Sequence, residues 1–237
     1  MYTIKKFLKN MISANPSSEE GQTFEEKRRQ MVQKQLMSRD IVDEKVLRAM
    51  AKTPRHEFLP AGLWDKAYDD TSLPIEENQT ISQPYIVAYM IQALSLKKGD
   101  RILEVGTGSG YQTALLAEIH EEVYTVEVRP QLAQKALAKL NELGYGDRVK
   151  IHIANGSFGY EEEAPFDGII VAAATFNIPE PLIDQLAEKG KIIIPIGGRE
   201  LQTLVRATKI NGKLAEEEFF KCMFVPLVRK GSKIIKF

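Results

Sequence analysis

The sequence predicts an α/β chain: a doubly wound, mostly parallel sheet with an antiparallel C-terminal hairpin and a helical N-terminal extension. Three observations carry this. From about residue 100 to 196, short apolar runs alternate with amphipathic stretches, the pattern of βα units that lay strands side by side in parallel. One run, Ile102-Leu103-Glu104-Val105, stops at Gly106-Thr107-Gly108-Ser109-Gly110, and Tyr111 to Ala117 then has helical character. Further on, Asn211-Gly212 separates two apolar runs, a strong hairpin signal.

The elements follow in order. Residues 13–23 are polar with Pro and Gly and read as a linker, so 1–23 forms an N-terminal extension. A helix is expected over about 24–38, with Met31, Val32, Gln35 and Leu36 on one face. Asp43 can cap a second helix through Met50. Residues 53–60 are bracketed by prolines and read as an extended connector, in which His56 is assigned a structural rather than a catalytic role. Residues 68–83 lack regular periodicity, as functional loops in compact domains often do. Pro84 opens a helix to Leu94 whose core face is Ile86, Val87, Met90, Ile91 and Leu94. The βα series begins in Asp100–Val105. Strands are expected at about 123–127, 149–153, 167–173 and 191–196, with helices at about 110–120, 130–143 and 179–188. The hairpin pairs Gln202–Lys209 with Glu218–Val228. Residues 24–98 and the core, 99–237, are read as one folded unit.

Composition narrows the function. The 237 residues carry 32 basic and 32 acidic side chains, so no global field draws the chain to nucleic acid or an anionic membrane. The basic stretch Arg229 to Lys236 reads as a solvated terminus. Cys222 is the single cysteine, which excludes an internal disulfide and a thiolate zinc cluster. Its neighbours Phe219, Phe220, Met223 and Phe224 suggest a buried thiol. No apolar run spans a bilayer, and residues 1–12 make a poor signal peptide, so a cytoplasmic protein is expected. No metal site and a monomeric state are also expected.

Strand, glycine loop and helix together place backbone N–H groups and a helix N-terminus beside a ligand, although a lone glycine loop also serves ordinary βα turns. The spacing here is G-x-G-x-G, one residue tighter than the dinucleotide fingerprint. Glu104 precedes the first glycine by two residues. A carboxylate there suits a ligand carrying an ammonium and a sulfonium better than a pyrophosphate. Glu127 ends the strand Val123-Tyr124-Thr125-Val126-Glu127, about twenty residues past the first glycines, where ribose hydroxyls are gripped in Rossmann-type sites.

The loop resembles motif I of the class I S-adenosylmethionine-dependent methyltransferases, whose Rossmann-like fold the element order fits. YDDTSLPIEENQTISQP, with MVQKQLMSRDIVDEKVLRAMAKTPRHEFLP before it, resembles the protein-L-isoaspartate O-methyltransferase family. So do LEVGTGSGYQTALLA, APFDGIIVAAA, PEPLIDQLAEKGKIIIPIG and FVPL, and the match runs from about Arg28 to Val228. The resemblance implies methyl transfer from S-adenosylmethionine to the free carboxylate of L-isoaspartyl residues, the products of Asn deamidation and Asp isomerisation, as a step in protein repair. It implies cofactor contacts from Gly106, Thr107, Gly108, Ser109, Gly110, Glu127 and, near the adenine, Asn155 and Gly156. It makes Thr80, Ile81, Ser82 and Gln83 the substrate segment, with Ser82 facing the acceptor carboxylate and the methyl. For any Ser-x-Pro at a helix start, an N-cap role is the alternative.

Three departures from the family pattern stand out: Glu76-Glu77-Asn78 in place of glycines, Ala154-Asn155-Gly156 in place of Gly-Asp-Gly, and Arg39-Asp40-Ile41 in place of Arg-Gly-Ile. The two extra carboxylates would repel an anionic acceptor if they pointed inward. They keep alive a changed acceptor, such as a small acid or a peptide natural product; a non-catalytic S-adenosylmethionine-binding protein is the other alternative. The chemistry itself asks little of side chains. A carboxylate with a pKa of about 4 is already ionised at neutral pH, so no base is needed. Alignment of two bound reactants supplies about 7–11 kcal/mol in favourable cases.

Overall fold

The computed structural model describes residues 21–228. The N-terminal stretch 1–20 and the basic tail from Arg229 lie outside the described residues. Helix α1 (Phe24–Met31) starts on a capping box, in which the Thr23 hydroxyl accepts from the Glu26 N–H and Glu26 reaches back to the Thr23 N–H. The expected single helix over 24–38 instead widens after Met31 into a π-helical segment, Val32–Met37. Helix α2 (Glu44–Lys52) is capped by Asp43, as its sequence indicates. The connector at 53–60 is not extended: Arg55–Phe58 forms a 3-10 turn, because the buried Arg55 donates Nε to the Ala67 carbonyl at 2.8 Å and pulls the chain around. The irregular loop contains a small antiparallel ladder, β1 (Leu73–Pro74) with β2 (Thr80–Ile81), and leads into helix α3 (Pro84–Leu94).

The main sheet holds β3 (Ile102–Val105), β4 (Val123–Glu127), β5 (Val149–Ile153), β6 (Phe166–Val171), β7 (Leu186–Gly197), β8 (Gln202–Ile210) and β9 (Lys213–Cys222). Its order is β5-β4-β3-β6-β7-β8-β9. The first five run parallel, and β8 is antiparallel to both of its neighbours, β7 and β9. Helices α4 (Tyr111–Ile119), α5 (Pro130–Glu142) and α6 (Glu180–Asp184) connect the parallel strands. Side chains alternate between two cores, as the pleat requires. Ile102, Val123 and Ile193 pack with α1 to α5 on one face. Leu103, Val105 and Ile192 pack on the other, which α6 and irregular segments cover more thinly. All four residues of β3 and all five of β4 are buried, as expected of strands covered on both faces.

Three boundaries differ from the expectations, the first being β7, which starts at Leu186 rather than at about 191. Helix α6 is five residues long rather than the ten expected over 179–188, because β7 already begins at Leu186 to pair with Phe166. The second hairpin strand is Lys213–Cys222, not Glu218–Val228. Asn211 and Gly212 both have positive φ, a two-residue turn that sets Lys213 directly against Ile210. Residues 223–228 are thereby released to cross the end of β6, where Ala174 N–H donates to Val225 O at 2.8 Å and Leu227 N–H to Ala174 O at 2.7 Å. No helix among the described residues is long and apolar enough to cross a membrane.

Candidate functional site

A cleft of ≈ 540 Å³ opens at the C-terminal ends of β3, β4 and β6, where ligands sit in open α/β sheets. Its floor is the glycine loop. Gly106 N–H donates to Val126 O at 2.8 Å, and φ of +99° at Gly106 and +54° at Gly108 turn the chain sharply. A Cβ on Gly108 would meet no protein atom within 4 Å, so the backbone there faces open space. The Glu127 carboxylate sits beside it, accepting from the N–H groups of Gly108 and Arg129, each at 3.0 Å. Gly106, Thr107, Gly108, Ser109, Glu127 and Gly156 all line the cleft.

Glu104 does not. It is wholly buried behind the loop, where its carboxylate accepts from Gln112 Nε2 at 3.0 Å, Thr113 Oγ1 at 2.5 Å and Thr125 Oγ1 at 2.7 Å. Thr107 Oγ1 lies 2.7 Å from Thr125 Oγ1, which links the loop to the same network. Burial raises the Glu104 pKa to about 7 against the opposing pull of the three hydrogen bonds. The expected direct contact is thus corrected: a carboxylate with three donors and no exposed surface positions the loop. Gly110 also stands off the cleft. Its Cβ position would press on Ala136 and Leu140, so this glycine lets α4 approach α5. Asn155 caps the 3-10 turn Gly156–Phe158, its Oδ1 accepting from the Ser157 N–H and hydroxyl at 3.0 and 2.9 Å. Of that pair only Gly156 lines the cleft, and it packs closely, since an added Cβ would lie 2.5 Å from Val105 Cγ1.

The facing wall is Thr80, Ile81 and Ser82, with Val87 of α3 behind them. Ser82 is not the N-cap of α3: that position belongs to Gln83, and neither residue's side chain caps the helix. Asp70 does the work instead, from well upstream in sequence. Its carboxylate accepts from the Tyr85 N–H at 3.2 Å, from Gln83 Nε2 at 2.8 Å and from Arg39 Nη1 at 3.0 Å. Gln83 is therefore turned away from the cleft toward Asp70. The two departing carboxylates are paired. Glu76 meets Lys135 Nζ at 2.9 Å and Glu77 meets Arg129 Nη1 at 3.4 Å, fastening the loop to the start of α5.

The remaining walls were not legible as such. Ala172 and Ala173 follow β6, Arg199 stands in the turn after β7, and Val225 to Val228 cross the top. Nothing in the local pattern marks these segments or Asp70 as neighbours of the glycine loop; FVPL signals only the resemblance. His56 takes the structural role assigned to it. It stacks on Phe24 at 4.1 Å and its Nδ1 lies 2.7 Å from the Tyr68 hydroxyl, while burial lowers its pKa. Cys222 is buried, with its thiol pKa pushed up to about 11 by desolvation, and so is a poor nucleophile. No cluster of metal-ligating side chains occurs among the described residues.

Residues 26–232 match the model of the protein-L-isoaspartate(D-aspartate) O-methyltransferase family. A protein-L-isoaspartate O-methyltransferase of Petrotoga mobilis is 52% identical over 207 residues, covering 86% of this chain and 97% of its own. One from Opitutus terrae is 48% identical over 219 residues, covering 92% and 93%. Among solved structures, a Plasmodium falciparum protein-L-isoaspartate O-methyltransferase in complex with S-adenosyl-L-homocysteine superposes with a TM-score of 0.75 at 31% identity, covering 85% of this chain and 98% of its own.

Proposed function

The chain belongs to the protein-L-isoaspartate(D-aspartate) O-methyltransferase family, and on that premise we propose how its cleft performs the reaction. It is an S-adenosylmethionine-dependent O-methyltransferase whose acceptor is the free carboxylate of isoaspartyl residues in damaged proteins. The observation that carries the assignment of roles is the meeting, in one cleft, of the glycine loop with Thr80, Ile81 and Ser82.

The residues present fit the methyl donor. Gly108 offers backbone with no side chain in the way, and Glu127 presents a fixed carboxylate beside it. Gly106 to Ser109, Glu127 and Gly156 would hold the cofactor, and Glu104, Gly110 and Asn155 keep those residues in place from behind. S-adenosylmethionine held there would supply a sulfonium-bound methyl to the acceptor carboxylate, with the sulfur as leaving group, so that the products would be a methyl ester and S-adenosylhomocysteine.

The protein's part is alignment and desolvation. The Ser82 hydroxyl donates to the acceptor carboxylate and fixes which lone pair is presented. Ile81, Val87, Ala172 and Leu227 exclude water from an anion that is a better nucleophile when partly dehydrated. Arg199 places a cation on the acceptor side, offsetting part of the cost of bringing that anion in. Glu77 lines the cleft but is paired there with Arg129, and Glu76 is paired with Lys135, so neither brings an uncompensated negative charge to the substrate, which weakens the argument for a changed acceptor.

The test is transfer of labelled methyl to an L-isoaspartyl peptide beside its L-aspartyl twin. Label on the first alone, lost slowly as methanol, is the expected result; equal labelling of both, or of neither, would sink the reading.

A further inference from the structure

Three large apolar side chains stand in solvent along one edge of the cleft: Phe176 is 71% exposed, Leu201 57% and Met223 76%. They come from three separate segments that the fold brings together. Gln202 and Cys222 are partners in the β8–β9 ladder, so Leu201 and Met223 flank that pair at the open end of the hairpin. The Gln202 side chain ties the surrounding turns to each other. Its Nε2 donates to the carbonyls of Gly198 and Arg199, and its Oε1 accepts from the Phe224 N–H at 2.7 Å. The segment carrying Phe176 is held against β7, where Thr175 N–H donates to Pro195 O at 3.1 Å and Gly197 N–H to Thr175 O at 2.9 Å. A Cβ on Gly198 would lie 3.9 Å from the Phe176 ring.

Each of these residues is two or three positions from one that lines the cleft: Phe176 from Ala173, Leu201 from Arg199, Met223 from Val225. Clustered exposed apolar side chains of this size mark a place where something binds. This edge is continuous with the acceptor side, and a substrate that is one residue of a polypeptide must lay its flanking residues somewhere beyond the cleft. An extended chain advances about 3.3 Å per residue, so side chains one to three positions from the isoaspartyl residue reach this far.

Resting on the isoaspartyl reading above, we propose that Phe176, Leu201 and Met223 form a docking rim for the polypeptide flanking the damaged residue. The rim selects substrates with a large apolar side chain close to the isoaspartyl position. Arg199, between rim and cleft, draws the acceptor carboxylate inward while the flank settles on the apolar edge. The occupant is an extended segment, because the acceptor carboxylate must enter the cleft while side chains one to three positions away in sequence lie on the rim.

The test uses two isoaspartyl peptides that differ only in carrying Phe or Ser on each side, one position removed from the isoaspartyl residue. Partial burial of the apolar flank gives a kcat/KM ratio of about ten in favour of the Phe peptide for the full-length protein. In the triple variant Phe176→Ser, Leu201→Ser, Met223→Ser the ratio falls to about two or less. The ratio is internal to each protein, so partial misfolding lowers both rates and leaves it intact. A wild-type ratio near one, or a preference that survives the triple variant, overturns the rim. A preference that emerges only after residues 229–237 are removed assigns the rim to the chain's own tail, and likewise overturns it. Failure to methylate either peptide counts against the isoaspartyl reading itself.

Discussion

The two halves of the cleft are built in opposite ways. The cofactor half, residues 102–129, is wired locally. Glu104 is bonded to Gln112, Thr113 and Thr125, and Glu127 to Gly108 and Arg129, all within one strand–loop–helix–strand unit. The acceptor half is assembled from Thr80–Ser82, Ala172–Ala173, Arg199 and Val225–Val228, segments that meet only because the sheet order and the hairpin exit bring them together. Polar groups in the first half are largely satisfied by the protein. The second half lines its opening with Ser82 and Arg199, with an apolar edge beyond them. On the proposed reading, one half is a preorganised receptacle for an invariant ligand and the other a surface for acceptors of varied sequence.

Four substitutions test that contrast, in descending order of effect. Gly108→Val strikes the cofactor half where protein atoms leave room. The chain should still fold, at a cost of about 1–2 kcal/mol for a left-handed β-branched residue. The side chain would fill ligand space, so S-adenosylmethionine affinity should drop by ~100-fold by calorimetry. Unchanged affinity would break the assignment of that half.

Ser82→Ala strikes the acceptor half. Losing one hydrogen bond to a charged partner should lower turnover by about ten- to a hundredfold and leave cofactor affinity alone. The melting temperature should hold as well, since Asp70 rather than Ser82 caps α3. A lower melting temperature with normal turnover would return Ser82 to a structural role.

Glu104→Gln probes the wiring through pH. The folded-state pKa of Glu104 is about 7 against an ordinary 4.5, so between those values the folded chain holds a proton that the unfolded chain has released. Stability from this group therefore falls as pH rises through that window. Glutamine carries no titrating proton, so the loss of stability from pH 5 to 8 should shrink by about 1–3 kcal/mol in urea unfolding. An identical pH profile in variant and wild type would mean that the burial cost is met elsewhere.

The smallest effect is expected from Asn155→Asp. The Oδ1 atom already serves Ser157, and a carboxylate can do the same. Cofactor affinity should stay within about twofold. A several-fold gain would show that residue 155 turns toward the adenine and belongs to the receptacle after all.

The sequence by itself determined the parallel series, the glycine loop, Glu127 at the end of β4, the Asp43 cap, the Pro84 start of α3 and the Asn211-Gly212 turn. Each of these is encoded within a few residues, by hydrophobic period, by a cap, or by a backbone angle that only certain residues adopt. The family resemblance added Ser82, which no local rule would have singled out over the N-cap reading. Tertiary structure alone decided the rest. It put Glu104 behind the loop rather than in it, because a carboxylate on the fourth-helix face of β3 meets Thr113 and Thr125 before it meets the cleft. It shortened α6 and moved β9, because pairing with β6 and a two-residue turn fix register more strongly than the apolar pattern does. It turned Glu76 and Glu77 onto α5, and it carried Asp70, Arg199 and Val225–Val228 to one site. Contacts between residues tens to more than a hundred positions apart leave no periodic trace in a single chain, since their energy depends on the packing of whole layers and not on neighbours in sequence.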